Sequence, residues 1–559
     1  MKKNLAIFVN YIILISTIIM LSFTLGKLIC MSGNILSISI MHNAYNEVRD
    51  FVGLRLAHLL LEGKNPYSVD FLNTLHVPFL YSYTGLMPLL TAVLCRLTGL
   101  SIISGSYLLN LIIYACTVFV LCLTIKGFFR DFFDDAVILH NHSKRSLWWN
   151  GLMIFFSVAV NTALFFSMFG VPLFNTRSDT ISIYLSAVIF YIVFKKKQNT
   201  LLLSVLTIVL LTCKQFMILL FVPLFFYYLL FNEKKLAFRY LWQCIIIGLI
   251  LVIIIQKFFP LYWTETILYQ FISNKDYGSF QSALLNIRNF YYRFFMEILL
   301  IIIGLVFIFF IGRKKTTFSV KIMEFLENND YAVYLCMNLI VGTIALLYLA
   351  KCDGDGYKYC QDLLAPALFL LSAFIWGKGF AKFLTMNGEN LPGRNLLLTV
   401  FSSVLCLSAV ITHSHFETNY YRLEDVKALI NLDEDITRLR GEQIYLGMNS
   451  TQYMINHDLW EDPDIDFNDG QIQYFNLSYD KKSIYDKIFF NNEIDDAASR
   501  YVQRVNQKTA NQEYSLLTTC IDTVIDLDIL SENYYPYKTY GIKTEANGMV
   551  YDVTLWLPR

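Results

Sequence analysis

Between residues 5 and 413 the chain alternates long apolar runs with short charged stretches; beyond His413 that alternation gives way to mixed polar sequence. The runs at 5–28, 299–311 and 331–350 approach the ~20 apolar residues a helix needs to cross ~30 Å of hydrocarbon. Only helices and closed barrels satisfy every backbone group inside lipid, and continuous apolar runs lack the in–out alternation of a barrel. The pattern predicts a polytopic α-helical membrane protein with about 11–12 hydrophobic helices.

The charged stretches order these helices. Lys2 and Lys3 hold the N-terminus in the cytoplasm. The apolar run behind them is too long for a signal peptide and lacks a small-residue cleavage site, so it reads as an anchor over 5–30. A polar segment at 31–84 then lies outside. Two apolar segments, 85–98 and 107–125, precede the cytoplasmic anchor of Lys126, Arg130, Lys144 and Arg145. Parity allows one net crossing there, so one segment is re-entrant or surface-lying, or the charge rule fails. Helix 149–170 leads out to a turn at 171–179, and helix 180–194 returns to Lys195-Lys196-Lys197. The run 201–231 has basic residues behind both ends, is too long for one crossing and short for two, and carries Lys214 at its middle. A hairpin of two short helices with Lys214 at an outer turn satisfies both constraints. Helix 240–258 leads to a second outer segment, 259–293, rich in aromatic and basic residues. Helix 294–312 returns to Arg313-Lys314-Lys315, and helices 331–350, 361–377 and 395–412 leave the chain outside.

Residues 413–559 read as a small extracytoplasmic α/β domain. Strand-like alternation at 443–447, 514–520 and 549–557 is interleaved with helical periodicity at 423–430 and 496–505. The chain thus divides into a membrane region, 1–412, and a soluble domain, 413–559.

Composition sharpens this picture. Of 559 residues 56% are hydrophobic and only 16% charged, with mean hydropathy +0.48, whereas a soluble chain carries about 25% charged residues. The net charge of +1 conceals a partition: 25 acidic and 13 basic residues lie beyond His413, a net −12, which leaves +13 for the membrane region. That acidic domain has no phosphate-contact affinity for nucleic acid. No phosphate-cradling glycine loop is present, which excludes a cytoplasmic ATPase. The eleven cysteines lie mostly in apolar runs, where a thiol is a small hydrophobe. Cys352 and Cys360 flank a polar loop and would admit a disulfide in an oxidising compartment.

Candidate chemistry sits at the outer ends of the helices. Positions 44–62 have amphipathic periodicity, with apolar residues at 48, 51, 52, 56, 59 and 60; Gly63 ends the helix and Asn65-Pro66 makes a turn. Such a helix lies flat at the membrane surface, with its charges solvated. Arg177-Ser178-Asp179 opens a helix at an outer turn, where Asp179 is a favourable cap without any ligand. Lys214 is costly in an apolar hairpin unless it faces a polar cavity or snorkels to the interface. In the loop 352–360, Asp353 and Asp355 alternate with Gly354 and Gly356, which suits a turn better than a calcium loop without its bidentate Glu. His413 and His415 lack a third metal ligand.

The first outer segment resembles that of the GT-C superfamily of polyprenyl-phosphate-sugar-dependent glycosyltransferases, in particular its family 87-type and family 39-type members. The shared features are Asp50 after the first membrane helix, Gly63-Lys64-Asn65-Pro66-Tyr67, and the aromatic stretch Phe79 to Tyr83 with Pro88. An Arg-x-Asp turn like Arg177 to Asp179, a hairpin lysine like Lys214, and a tyrosine-bearing loop like Tyr357-Lys358 running into Pro366 are also similar. The resemblance implies a GT-C-type fold in the cell membrane and inverting transfer of a sugar from a polyprenyl-phosphate donor. The acceptor would be a glycan, lipid or protein on the outer face. A carboxylate must take the acceptor hydroxyl proton; the resemblance implies Asp50. The residue four positions on is Leu54 rather than the family's tyrosine, and the stretch lacks an adjacent Pro-Pro, so Glu47 stands beside Asp50 as a candidate base. Arg177, Asp179, Lys214, Lys64, Tyr67, Tyr357 and Lys358 would bind substrate. A divalent metal is compatible with this scheme but not implied by it, since lysine can serve a monophosphate. A transporter or flippase of lipid-linked glycans is the alternative, although no inverted repeat is visible; an inactive membrane scaffold is another.

Overall fold

In a computed structural model the chain is described at residues 56–63, 65, 86–140, 179–195, 199–259, 262, 280–293, 295, 298–299, 301–302, 304–306, 329–348, 364–375, 378, 423–447, 465–467, 493–519, 525–543 and 550–559. The first group of elements is helical: α1 (Leu86–Thr98), α2 (Ile102–His140), α3 (Asp179–Phe194), α4 (Thr200–Cys213), a 3-10 segment (Gln215–Leu220), α5 (Phe221–Phe231), α6 (Lys234–Phe258), α7 (Phe280–Arg293) and α8 (Asp330–Tyr348). Residues 364–375 are helical as well. Among the described residues, three stretches are long and apolar enough to cross a membrane: Ser104–Ile125, Lys234–Phe258 and Asp330–Leu347.

Several boundaries differ from the sequence pattern for physical reasons. The apolar run 107–125 belongs to a helix that continues to His140, through the charged stretch expected to act only as an anchor. No proline interrupts that stretch, and charged side chains are good helix formers once outside lipid. Of the two segments competing for one crossing, α2 holds the stretch that qualifies; α1, at 13 residues, is about 20 Å long. α1 folds back along α2, with Cys95 against Gly105 and Met87 in one buried cluster with Ile113. Part of the segment 259–293, expected outside from the sequence, is helical, as α7.

Side-chain pairs give the helix directions. α2 and α3 run the same way, because Ile113 clusters with Ile181 while Phe128 meets Phe194 edge-on at 4.7 Å. α4 and α6 are also parallel. Ser204 Oγ donates to Tyr240 O at 3.3 Å, Thr207 Oγ1 and Tyr240 Oη share a 3.0 Å bond, and further along Ile208 faces Gly248. α5 opposes them both, since Phe221 stacks on Tyr240 at 5.4 Å and Phe225 meets the earlier Phe238 at 6.4 Å. The run 201–231 is therefore a reversal, and it breaks at Lys214. α8 runs against 364–375, with Gly342 facing Leu364 and Tyr331 facing Phe374 at 6.1 Å.

The bundle thus has two ends. One is an aromatic plug: Phe128, Phe194, Tyr331 and Phe374 pack together, Tyr227 meets Tyr334 at 5.3 Å, and Tyr331 Oη donates to Phe190 O at 3.2 Å. Lys195, Lys234, Lys235 and Lys378 accompany this end, Lys378 bonding Asn329 beside Asp330. The other end gathers the start of α3 and the ends of α4 and α6. α6 leaves Trp242, Ile246, Leu249, Ile250 and Ile253 more than half exposed. Such a continuous apolar face is what lipid covers and water does not tolerate.

The last part of the chain forms a five-stranded mixed sheet of order β2-β1-β3-β5-β4, from β1 (Ile444–Leu446), β2 (Ile465–Phe467), β3 (Leu516–Thr519), β4 (Tyr534–Lys543) and β5 (Val550–Pro558). β1 pairs in parallel with β2 and β3, and β5 pairs antiparallel with β3 and β4. Helices α9 (Leu423–Leu439), α10 (Glu493–Ala510) and α11 (Leu527–Asn533) accompany the sheet. The strands expected at 443–447, 514–520 and 549–557 coincide with β1, β3 and β5. α9 is tied to β4 through Asp435, which accepts from Lys538 Nζ at 2.8 Å, from Arg438 Nη2 at 2.6 Å and from the Tyr540 hydroxyl. The Lys538 and Tyr540 hydrogen bonds hold the Asp435 carboxyl below the usual carboxylate range. Burial, then this carboxylate, pushes the Tyr540 phenol up.

Candidate functional site

The end of the bundle opposite the aromatic plug is assembled from helix termini. α4 stops at Cys213, and Lys214 leaves the helix in an extended conformation with φ −157° and ψ 123°. Its N–H still donates to Leu210 O at 2.9 Å, and its own carbonyl accepts from Met217 N at 3.0 Å to start the 3-10 segment. The lysine therefore sits at a corner, half-buried, rather than inside a continuous apolar helix. Cys213 beside it is buried in one cluster with Met87, Ile113 and Ile181, so the corner neighbours the start of α1, the first third of α2 and α3 near Ile181.

α3 is described from Asp179 onward. In its first described turn Thr180 and Ser182 are buried, and neither hydroxyl finds a hydrogen-bond partner among the described residues.

The segment around Gly63, expected outside from the sequence, reaches the same end. Residues 56–61 are helical; Leu56, Ala57, His58 and Leu59 are all buried, so this turn is enclosed on more than one side. His58 Nε2 lies 3.2 Å from Glu62 Oε1. Gly63 adopts φ +78°, the left-handed conformation that closes a helix and that glycine takes without strain. Two residues later Asn65 Nδ2 donates to Phe258 O, the last carbonyl of α6, at 2.6 Å. Past that point Tyr262 is buried and its hydroxyl donates to Thr212 O at 3.2 Å.

Of the residues singled out from the sequence, Asp179 and Lys214 are among the described ones, and their helix termini are joined through the Ile181–Cys213 contact. Asp50, Glu47, Lys64, Tyr67, Arg177, Tyr357 and Lys358 lie outside the described residues, as do the 352–360 loop and His413 with His415. Lys64 and Arg177 are nonetheless close in sequence to described neighbours of this end, Asn65 and Asp179. Asn65, Thr180, Ser182 and Tyr262 carry no sequence signal strong enough to find them; their significance comes from contacts across the fold. Among the described residues no group of three or more His, Cys, Asp or Glu side chains is arranged to hold a metal ion. The described cysteines Cys95, Cys116, Cys213, Cys244 and Cys336 are free thiols. No protein-family model and no curated protein matches this chain.

Proposed function

We propose that this chain is a multi-pass membrane glycosyltransferase that moves one sugar from a polyprenyl-phosphate carrier to a hydroxyl of a glycan, lipid or protein at the outer face. The observation that carries this reading is convergence. Three polar features separated widely in sequence, the Gly63–Asn65 turn, the start of α3 and the corner at Lys214, meet at one end of an apolar bundle. The lysines Lys195, Lys234, Lys235 and Lys378 belong to the opposite end, as the retention of basic residues on the cytoplasmic side requires. An apolar helix face such as that of α6 supports a lipid environment.

In this scheme Asp50, or Glu47, accepts the proton of the acceptor hydroxyl as its oxygen attacks the anomeric carbon from the side opposite the phosphate. The anomeric C–O bond breaks, the electron pair leaves with the polyprenyl phosphate, and the configuration inverts. Lys214 and Arg177 offset the phosphate charge, and the hydroxyls of Thr180 and Ser182 offer donors nearby. Lys64, Tyr67, Tyr357 and Lys358 are assigned to binding the sugar and phosphate.

The test is single-turnover transfer in detergent from a panel of polyprenyl-phosphate sugars, comparing the parent protein with Asp50→Asn. Loss of transfer by a folded Asp50→Asn assigns the base; an unimpaired variant moves the role to Glu47. A parent protein that consumes no donor refutes the enzyme and turns attention to lipid-linked glycan transport or a scaffold.

A further inference from the structure

The ends of α4 and α6 share an unusual closure. The last carbonyls of a helix have no partner within it and are commonly satisfied by a glycine turn. Neither helix ends that way here. The terminal carbonyl of α6, Phe258 O, accepts from the Asn65 side chain, 193 residues away. The Thr212 carbonyl, in the last turn of α4, accepts from the Tyr262 hydroxyl, 50 residues away. Both donors meet the same short stretch. Phe259 N bonds back to Ile255 O at 2.6 Å, and Tyr262 N bonds to Phe259 O at 2.9 Å, so Phe258, Phe259 and Tyr262 form a hub at the end of α6. Tyr262 is 5% exposed, and its ring is therefore held in place rather than free to swing.

We infer that this hub is a two-sided clamp, in which Asn65 and Tyr262 are positioning residues that couple the first outer segment to the corner at Lys214. The inference rests on the reading above for what is positioned, but the coupling itself is a property of the fold. Asn65 ties the chain just beyond the Gly63 turn to the end of α6. Tyr262 fixes the last turn of α4 two residues before Lys214. A shift on one side of the hub is passed to the other through the Tyr262–Phe259 hydrogen bond, so the Gly63 turn and the Lys214 corner assemble together or not at all.

The experiment uses the full chain in detergent with Asn65→Asp, which keeps the shape and removes the amide donor, with Tyr262→Phe, and with the pair combined. Amide hydrogen exchange is followed at Glu62 and Gly63, at Lys214, and at Val333 beside the aromatic plug. Coupling predicts that either single change speeds exchange at both Gly63 and Lys214 by about fivefold to tenfold, the worth of one hydrogen bond. The combined variant should add little more, because one break already opens the clamp. Val333 should keep its protection. Turnover of donor should fall by the same factor in all three variants. Effects that stay local, with Asn65→Asp leaving Lys214 untouched, or that multiply in the pair, overturn the clamp; so does loss of protection at Val333, which makes the contacts bundle-wide. If the parent protein transfers no sugar, the exchange result still decides the coupling, while the functional reading falls by itself.

Discussion

A lysine in the middle of an apolar run has to be housed, and here the backbone does it by leaving the helix. Lys214 sits where α4 ends and the 3-10 segment begins, half-buried beside Cys213. If its ammonium offsets phosphate charge, Lys214→Met should lower single-turnover transfer by about 10²–10³, the scale for removing one preorganised electrostatic donor. Thermal stability should hold or rise, since a costly charge is gone; undiminished transfer by Lys214→Met would remove the lysine from the chemistry. Asp435 presents the opposite case, a carboxylate serving structure alone. Its folded pKa is lowered, so the stability it contributes is present above its unfolded value of about 3.9 and is lost as pH falls through the lower folded value. Arg438 and Lys538 are 62% and 47% exposed, so solvent screens much of their share. Asp435→Asn should therefore loosen β4 by only about 1–2 kcal/mol at neutral pH, read as faster amide exchange in β4. The deficit relative to the parent should shrink as the pH is taken below 4.

At the scale of elements, what the sequence disclosed depended on whether local pattern or distant contact decides the outcome. β1, β3 and β5 follow alternating runs and were legible. β4 was not, because Tyr534-Tyr-Pro-Tyr reads as loop. Its Pro536 is tolerated since β4 is the edge strand, and the register shifts between Pro536 and Lys538. β2 is three residues long, too short to show any period. The charged tail of α2 was read as a cytoplasmic anchor because charge speaks of location and not of backbone conformation. Of the candidate site, the lysine corner and the Gly63 turn were visible as local violations of pattern, a charge among apolar residues and a helix-ending glycine. The hydrogen bonds of Asn65 and Tyr262 were invisible, since each joins segments that only the fold brings together. Gly447, just past β1, gives this scale its own test. A Cβ there would lie 2.7 Å from the backbone oxygen of Thr518, whose hydroxyl already accepts from Gly447 N at 2.9 Å. Backbone cannot swing aside as a side chain does, so Gly447→Ala should cost about 1–3 kcal/mol. Faster exchange in β3 amides would register it, and an unchanged profile would show that the strands can part at no cost.

For the whole molecule, helix length carries an argument that composition cannot. α4, capped at both ends by Asn199 and Lys214, has 14 residues, about 21 Å, against ~30 Å of hydrocarbon. α6 has 25 residues, about 38 Å, and so spans with length to spare. The starts of α4 and α6, at Thr200 and Lys234, belong to the aromatic-plug end of the bundle, as does Lys195. The shortfall of α4 then falls at the other end, where the Lys214 corner lies below the rim set by α6. A recess of that kind lets a charged corner meet water and a lipid phosphate without crossing the full apolar layer. Cysteine labelling measures it directly. Cys95, Cys213 and Cys244 are buried and should stay silent in intact membranes. A cysteine replacing Lys214 should react with a small impermeant thiol reagent from the outer side and more slowly with a bulky one. A cysteine replacing Lys235 should react only once the inner face is opened. Labelling of both positions from one side would break the assignment of the two ends, and with it the outer-face site; equal rates for small and bulky reagents at 214 would leave the ends in place and remove the recess.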